Sequence, residues 1–420
     1  MKKKYLLCIG TPAWEGDYQK STLELLKELS HTHEVLYVEY AFTVLNVLRS
    51  YMNRNSFVPK QRILGQENRL RFIPTGKGKG LHVLTLPPML PINWLPRGGG
   101  YVFFAKLNAW IAKRSIRKAL KKLAFGTPTV VNALQPMLGR YLVGTFEENG
   151  RIYYCYDEIS EAVWLQKHGG WIENEFIPLV DEVVTTSEPL RRKKRSLSVP
   201  TTVVKNGVNY ELFSQAYDKR YDRLGANQGP KTVGYVGSID FRMDIKLIQF
   251  LLQSRPEVHF LLVGPVADPE IKVELGKYDN VVFVGPQQPD RLPEWLAKMD
   301  VGIIPYVNNG FTQNIYPMKV NEYLAAGLAV VSTDFGDLQD FNGVITITDQ
   351  AEKFLQAIDE GLRHRTIALA TERTMIAKGN SWKARARKLG QVIDKVANQK
   401  VLAPYDLSEP QPMRHTKTAL

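Results

Sequence analysis

Short apolar runs alternate with longer stretches in which apolar residues recur at helical spacing along most of the 420-residue chain. Turn residues bound these runs, which is typical of β-strands joined through helices into mainly parallel sheets. The first predicted series of strands is 5–9, 35–40, 82–86, 130–132, 152–156 and 182–186. The second is 202–205, 232–236, 258–263, 281–284, 301–305, 329–332 and 344–347. Two such series predict an α/β protein with two Rossmann-like domains.

The boundary between the two domains is predicted within residues 203–209, because Asn206 and Gly207 form a turn signal there. The predicted organisation is a first domain over 1–205, a second over 206–380 and a helix over 381–400. Residues 401–420 are polar and contain three prolines, so they are predicted to form a disordered tail.

Composition narrows the class of protein. A hydrophobic content of 44% and a charged content of 23% indicate a globular chain. The net charge of +13 predicts an anionic partner, which could be a nucleic acid, a membrane surface or a phosphorylated substrate. Cys8 and Cys155 both lie in apolar runs, which favours a reducing compartment. The apolar start is too short for a signal peptide, and no apolar run approaches the ~20 residues of a membrane span. A cytoplasmic location is therefore predicted.

Residues 317–332 form the most informative segment, PMKVNEYLAAGLAVVS. Lys319 and Glu322 are three residues apart and therefore share one face of a predicted helix. A lysine at a helix N-terminus can hold a phosphate, and a glutamate one turn later can accept hydrogen bonds from a ribose diol. The alternative is a solvated surface pair followed by an ordinary helix end.

This segment resembles the nucleotide-binding helix of GT-B glycosyltransferases, the group that includes sucrose and glycogen synthases. The similarity is to the group 1, family-four-like enzymes of the bacterial exopolysaccharide or teichuronic-acid type. Residues 206–209, Asn-Gly-Val-Asn, match a second signature that lies between the domains of this family. The resemblance implies an acceptor-binding and a nucleotide-sugar-binding domain facing across a cleft, with the helix 381–400 crossing back to the first domain.

The resemblance also implies a set of donor-binding residues: Gly234, Gly237, Ser238, Arg242, Gly285, Asn314, Met318, Lys319 and Glu322. Many members carry a Glu-x7-Glu pair, but the first of these positions is Asn314 here. Arg242 is the candidate replacement for basic residues that many members carry after the glycine turn, and Lys319 becomes the main phosphate cation. Retaining and inverting chemistry both stay open.

Residues 153–160 end an apolar run on two adjacent acids, Asp157 and Glu158. Carboxylates at the carboxyl end of a parallel strand would face the cleft, where one could deprotonate an acceptor hydroxyl. Asp157 is the preferred base and Glu158 the second choice; an N-cap is the alternative role. By fold analogy, Trp14 and Asp17 are predicted to line the acceptor side.

No Asp-x-Asp triplet occurs, and the seven histidines lack metal-ligand spacing. This agrees with the resemblance to GT-B enzymes, which implies a metal-independent, hexosyltransferase-like enzyme without a cofactor, whose leaving diphosphate is stabilised by cations and helix dipoles.

Residues 103–125 combine apolar positions at helical spacing with basic residues and contain no acid. The apolar positions are Phe103, Leu107, Trp110, Ile116, Leu120 and Leu123. The two basic rows are Lys113, Arg117 and Lys121, and Arg114, Lys118 and Lys122. This pattern, with the apolar loop 89–96 before it, predicts peripheral contact with an anionic membrane. An ordinary solvated helix face is the alternative.

Taken together, the sequence predicts transfer of a sugar from a nucleotide diphosphate sugar to a saccharide or lipid-linked acceptor in surface polysaccharide biosynthesis. A sugar-nucleotide 2-epimerase of the same fold and a basic nucleic-acid-binding α/β protein are the alternatives. No nucleic-acid partner is predicted, because the basic residues are not interleaved with aromatic ones in a known nucleic-acid module.

Overall fold

The computed structural model describes residues 3–15, 20–52, 58–76, 78–161, 165, 167–195, 199–221 and 231–399. The described residues form two sheets, of eight and six strands. The first sheet contains β1 (Tyr5–Gly10), β2 (Glu34–Val38), β3 (Leu70–Gly76), β4 (Lys79–Leu84), β5 (Thr129–Ala133), β6 (Gly150–Cys155), β7 (Glu182–Thr185) and β8 (Thr201–Val203). Its strand order is β3-β4-β2-β1-β5-β6-β7-β8, and β3 pairs with β4 in the antiparallel sense while the other pairs are parallel.

The inner strands of this sheet are buried on both faces, as parallel sheets flanked by helices are. The helices that accompany them are α1 (Ser21–Leu29), α2 (Val44–Met52), α3 (Lys60–Leu64), α4 (Gly99–Lys122), α5 (Pro136–Gly139), α6 (Gly169–Phe176) and α7 (Glu188–Lys194). At the start of α7, the Ser187 side chain accepts the backbone N–H of Leu190. This bond satisfies one of the free donors at the helix end.

The second sheet contains β9 (Thr232–Val236), β10 (His259–Val263), β11 (Val281–Gly285), β12 (Val301–Ile304), β13 (Ala329–Ser332) and β14 (Thr346–Ile347). It is parallel throughout, in the order β11-β10-β9-β12-β13-β14. Its helices are α8 (Tyr210–Arg220), α9 (Ile245–Ser254), α10 (Pro269–Leu275), α11 (Leu292–Leu296), α12 (Met318–Ala325), α13 (Ala351–Arg363) and α14 (Ile367–Gly379). We call the parts built on the first and second sheets the first and second domains.

The last described helix, α15 (Trp382–Gln399), returns to the first domain. Val392 and Val396 are buried in the same hydrophobic cluster as Leu29 of α1. Lys4, just before β1, lies 2.6 Å from the carboxylate of Asp394. The crossing helix therefore joins the two ends of the described chain within one core.

The predicted α/β class with two sheets is confirmed, and two strand predictions need correction. The strand 202–205 was assigned to the second series, but β8 pairs with β7 and so closes the first sheet. The antiparallel strand β3 was missed, because its alternating pattern is half exposed and contains Pro74. The predicted tail 401–420 lies outside the described residues.

The two domains meet through side chains near the carboxyl ends of their strands. The Ser187 hydroxyl donates to the carbonyl of Asn314 at 2.7 Å, and the Glu188 N–H donates to the carboxylate of Asp337 at 2.9 Å. Met318, at the start of α12, packs against the hydrophobic cluster of the first domain. The strand ends of both sheets consequently border one cleft.

Candidate active site

Lys319 lies in the first turn of α12, where the helix begins at the cleft. Its ammonium is 5.5 Å from the ring centroids of both Tyr235 and Tyr306, whose hydroxyls are 2.9 Å apart. No carboxylate of the described residues lies within ion-pair distance of this ammonium. Lys319 therefore brings positive charge to the helix N-terminus, where the backbone N–H groups also favour an anion.

Gly237 lies directly above the Lys319 side chain, in the turn after β9. Its φ is +146°, and a Cβ at this position would lie 2.3 Å from Cε of Lys319. Gly264 and Gly285 lie beside this turn, at the ends of the next two strands. The Gly237 N–H donates to the Val263 carbonyl at 2.8 Å, and the Gly264 N–H donates to the Gly285 carbonyl at 3.0 Å. These backbones form a shelf without side chains, which allows a diphosphate to approach the lysine closely. Gly264 had not been predicted as a site residue.

Gly234 needs a correction. It lies inside β9 and not in the turn, where it pairs with Leu261 and Gly302. A Cβ there would lie 2.1 Å from the sulfur of Met299. This glycine therefore serves packing in the core of the second domain and does not approach a donor phosphate.

Glu322 is partly buried one turn beyond Lys319. Burial raises the pKa of its carboxyl, against the opposing effect of the Lys319 charge. No hydrogen bond to this carboxyl comes from the described residues, and Lys319 is beyond ion-pair distance. The solvated Lys–Glu pair, which was the alternative to a nucleotide-binding role, is thus not found among the described residues. Both side chains are available to a ligand that carries phosphate and hydroxyl groups.

Arg242 supplies a second cation beside Tyr306, with its guanidinium 5.3 Å from the ring. Asp240 accepts two hydrogen bonds from it, at 2.8 and 2.6 Å. The pair fixes the guanidinium in one orientation, because a bidentate carboxylate contact is geometrically specific. Ser238 contributes its carbonyl, which accepts the Tyr235 hydroxyl at 2.8 Å.

Asn314 is buried at the contact between the domains. Its amide nitrogen donates to the carbonyl of Gly310 at 2.6 Å, while its side-chain oxygen has no partner among the described residues. A buried polar atom without a partner is costly unless something else satisfies it. The amide oxygen is therefore a candidate acceptor for a hydroxyl of a bound donor sugar.

Asp157 follows β6 and faces the second domain, where Arg242 is its main charge partner. Burial raises the pKa of the Asp157 carboxyl to about 7, although the Arg242 charge acts in the opposite direction. A carboxyl with a pKa near neutrality is matched to proton transfer at physiological pH. Among the candidate acids, Asp157 is thus the one with the environment of a general base.

Glu158 points away from the cleft into a buried ion cluster. Lys194 lies 2.7 Å from both Glu158 and Glu173, and all three side chains are buried. Burial disfavours the charged form of Glu158, but Lys194 and Ser160 outweigh this effect, so its pKa is lowered. The Glu158 carboxylate is therefore engaged in contacts that stabilise the turn after β6. This engagement argues against Glu158 as the general base.

Trp14 follows β1 at the edge of the cleft. Its backbone N–H donates to the buried carboxylate of Glu39 at 2.8 Å, and its ring centroid is 6.2 Å from that of Tyr37. The ring is only partly buried and packs against the same cluster as Met318. Trp14 is therefore held at the mouth of the cleft, whereas the predicted Asp17 lies outside the described residues.

The sequence analysis did not predict that Lys205 joins the two domains by ion pairs. Its ammonium lies 3.3 Å from the carboxylate of Asp337 and 2.8 Å from that of Asp340, across the domain boundary. Its position beside the Asn206–Gly207 turn was the available signal.

No group of three or more potential metal-binding side chains occurs among the described residues. In the same part of the chain, no helix is long and apolar enough to cross a bilayer.

The sequence of the second domain is similar to that of a known family. Residues 230–364 match the family model described as Glycosyl transferases group 1. This match spans most of the second domain and about a third of the chain. Over 137 aligned residues, the chain is 38% identical to a Bacillus subtilis (strain 168) protein with the provisional name teichuronic acid biosynthesis glycosyltransferase TuaH. The alignment covers 31% of this chain and 34% of that protein. The chain spans between 34% and 58% of the length of the curated relatives it matches.

Solved structures extend the similarity to both domains. Sucrose-phosphate synthase from Thermosynechococcus elongatus aligns with 94% of this chain and 100% of its own, with a TM-score of 0.66 and 17% identity. Anabaena Alr3699/HepE in complex with UDP aligns with 93% of this chain and 100% of its own, with a TM-score of 0.59 and 15% identity. At these identities the similarity establishes the fold alone, and the predicted GT-B arrangement of two domains is confirmed.

Proposed function

We propose that this protein is a glycosyltransferase that moves a sugar from a nucleotide diphosphate sugar to a saccharide or lipid-linked acceptor in surface polysaccharide biosynthesis. The observation that carries the proposal is that Lys319 and Glu322 lie one turn apart at the start of α12, with the Gly237 turn directly over the lysine side chain. A cation, a carboxylate and free backbone N–H groups at one helix end match the diphosphate and the ribose of such a donor. UDP in the Anabaena neighbour and the names of the curated relatives support this assignment.

The reaction that these residues can support is a displacement at the anomeric carbon. The acceptor oxygen forms a bond to this carbon, while the bond from the carbon to the phosphate oxygen breaks and its electron pair leaves with the diphosphate. Lys319 and the α12 N-terminus stabilise the charge that develops on the phosphate, which is the part of the transition state a fixed cation favours. Asp157 takes the proton from the acceptor hydroxyl.

A panel of nucleotide sugars tests the proposal. A bound donor stabilises the folded state, so the correct one should raise the melting temperature of the protein. Free nucleoside diphosphate should then appear only when an acceptor saccharide or a lipid-linked acceptor is added. Conversion of the donor into its C2 epimer without any acceptor would favour the 2-epimerase. A lack of nucleotide-sugar binding together with salt-sensitive binding of nucleic acid would favour the third alternative.

We also propose that α4 brings the first domain to an anionic membrane. Its exposed basic residues include Arg114 and Lys118, in an element that has no acidic residue. Each basic side chain near an anionic surface contributes about 1 kcal/mol, and salt screens the attraction. Changing Arg114, Lys118 and Lys122 to Glu should abolish sedimentation with anionic vesicles at low salt, and unchanged sedimentation would refute this role.

A further inference from the structure

The first domain exposes large apolar side chains on two helices and the loop between them. On α2, Leu48, Tyr51 and Met52 are 54%, 61% and 81% exposed. Trp94 in the loop 89–95 is 71% exposed, and Phe103 on α4 is 65% exposed. Monomeric proteins rarely leave such side chains clustered in water, so the cluster indicates a surface that another phase or molecule covers.

The exposure on α4 follows from how the helix packs. Its buried face consists mainly of small residues: Ala105, Asn108, Ala109, Ala112 and Ala119, together with Tyr101 and Ile116. The predicted apolar row is consequently split, because Ile116 is buried while Phe103, Leu107 and Trp110 face outwards. The helix thus needs no aromatic side chain to pack onto its own domain.

These elements form one continuous surface. The Val44 N–H, at the start of α2, donates to the Met89 carbonyl at 2.9 Å. On the other side, the Asn108 side chain of α4 donates to the Leu90 carbonyl at 3.0 Å and accepts the Leu90 N–H at 2.8 Å. The loop is therefore clamped between the two helices. We call α2, the loop 89–95 and the exposed face of α4 the docking surface.

Basic side chains lie on the exposed part of α4, beside the apolar ones. The exposed basic residues of this helix, which contains no acidic residue, are Lys106, Arg114, Arg117, Lys118, Lys121 and Lys122. Any partner of the docking surface must accept both apolar insertion and strong positive charge.

The docking surface adjoins the acceptor side of the cleft. The chain enters α2 a few residues after β2, and the intervening Glu39 holds the Trp14 N–H. The loop 89–95 follows β4, which is the neighbour of β2 in the sheet. Since carboxyl ends of parallel strands meet at one edge, the apolar residues and the mouth of the cleft share that edge.

We propose that the docking surface inserts into the interface of an anionic lipid bilayer, with α2 and α4 lying in the plane of the membrane. Amphipathic helices with aromatic and aliphatic residues on one side and basic residues beside them bind membranes in this way, and tryptophan and tyrosine favour the interface. A nucleic acid would satisfy the charge but offers no partner to Leu48 or Met52. The inference deepens the proposed role of α4 at an anionic membrane, and it rests on the proposed function for a lipid-linked acceptor.

The apolar component separates this inference from a purely electrostatic attraction. Binding to vesicles of phosphatidylglycerol and phosphatidylcholine should weaken with salt yet persist at 0.5 M NaCl, because insertion is not screened. The triple variant Leu48→Ser, Tyr51→Ser and Met52→Ser should bind at least ten times more weakly at low salt and not at all at high salt. Val273→Ser with Met375→Ser is the matched control, since both side chains are strongly exposed in the second domain.

The depth of insertion is measured with bilayers whose acyl chains carry bromine, which quenches nearby tryptophan fluorescence. Quenching should be strong in the wild type and weaker in Trp94→Phe. Equal binding by the triple variant and the wild type would overturn the inference, as would complete loss of wild-type binding at high salt. The inference would also be overturned if the wild type formed a dimer, the triple variant did not, and neither protein bound vesicles. That result would assign the surface to a second copy of the chain. UDP affinity, measured on the same samples, shows independently whether the donor site survives.

Discussion

Replacing Asp157 by Asn should stabilise the protein while impairing its reaction. The structure places this carboxyl where burial raises its pKa to about 7, from an ordinary value of 3.8. Because the folded-state pKa is the higher one, the unfolded chain loses the proton first as pH rises. The wild type therefore loses stability between about pH 4 and pH 7, and the loss is complete above pH 7. An amide of the same shape cannot ionise and avoids this loss.

The magnitude follows from the pKa gap. One pKa unit corresponds to about 1.4 kcal/mol, so the stability of Asp157→Asn relative to the wild type should increase by about 2–3 kcal/mol from pH 5 to pH 8. Urea unfolding at the two pH values measures this difference. Asp279→Asn, at an exposed carboxylate, is the control and should show no comparable pH dependence. In the transfer reaction, Asp157→Asn should lower turnover by about 10²–10⁴-fold while donor affinity is kept.

Two results would refute this reasoning. An advantage that is equal at pH 5 and pH 8 would mean that Asp157 is not a buried carboxyl with a raised pKa. Normal turnover of Asp157→Asn would remove it as the base, even if the stability effect were found. In that case the proton would have to leave by another route, such as the donor's own phosphate.

Three further perturbations test the donor site. Glu322→Gln should weaken nucleotide binding by about 1.5–3 kcal/mol in calorimetry through loss of a charge-assisted hydrogen bond to the ribose, and unchanged affinity would remove this role. Gly237→Ala should weaken nucleotide binding because its Cβ displaces Lys319, whereas Gly343→Ala, with φ +76° but open space around it, should lose only stability. Activity should survive exhaustive chelation, and its loss with recovery on adding manganese or magnesium would contradict metal-independent transfer.

The sequence predicted the strands of both sheets well because buried parallel strands are nearly continuous apolar runs. It failed at β3, whose half-exposed edge pattern carries little signal, and it misassigned β8 because a strand of three residues does not show which sheet it joins. The Lys319–Glu322 helix was predictable from local spacing alone. Local sequence patterns are thus sufficient to predict the helix that carries these two residues.

Other features depend on contacts between distant residues. The buried Lys194 that holds Glu158 is thirty-six residues away along the chain, so two adjacent acids that look equivalent in sequence differ completely in the structure. Gly234 and Gly237 also look alike, yet Met299 packs over the first and Lys319 lies under the second. Tertiary packing makes these distinctions, and a single sequence does not contain them in readable form.

The most direct measurement is the affinity for UDP, by titration calorimetry, of the wild type, Lys319→Ala and the control Lys298→Ala. Lys298 is an exposed lysine of the same domain that lies over Trp295, away from the start of α12. If a nucleotide diphosphate binds at the α12 N-terminus, Lys319→Ala should weaken binding by about 10–100-fold, or 1.5–3 kcal/mol, and Lys298→Ala should leave it unchanged. Equal affinity for all three folded proteins, or no binding of any nucleoside diphosphate to the wild type, would contradict the account.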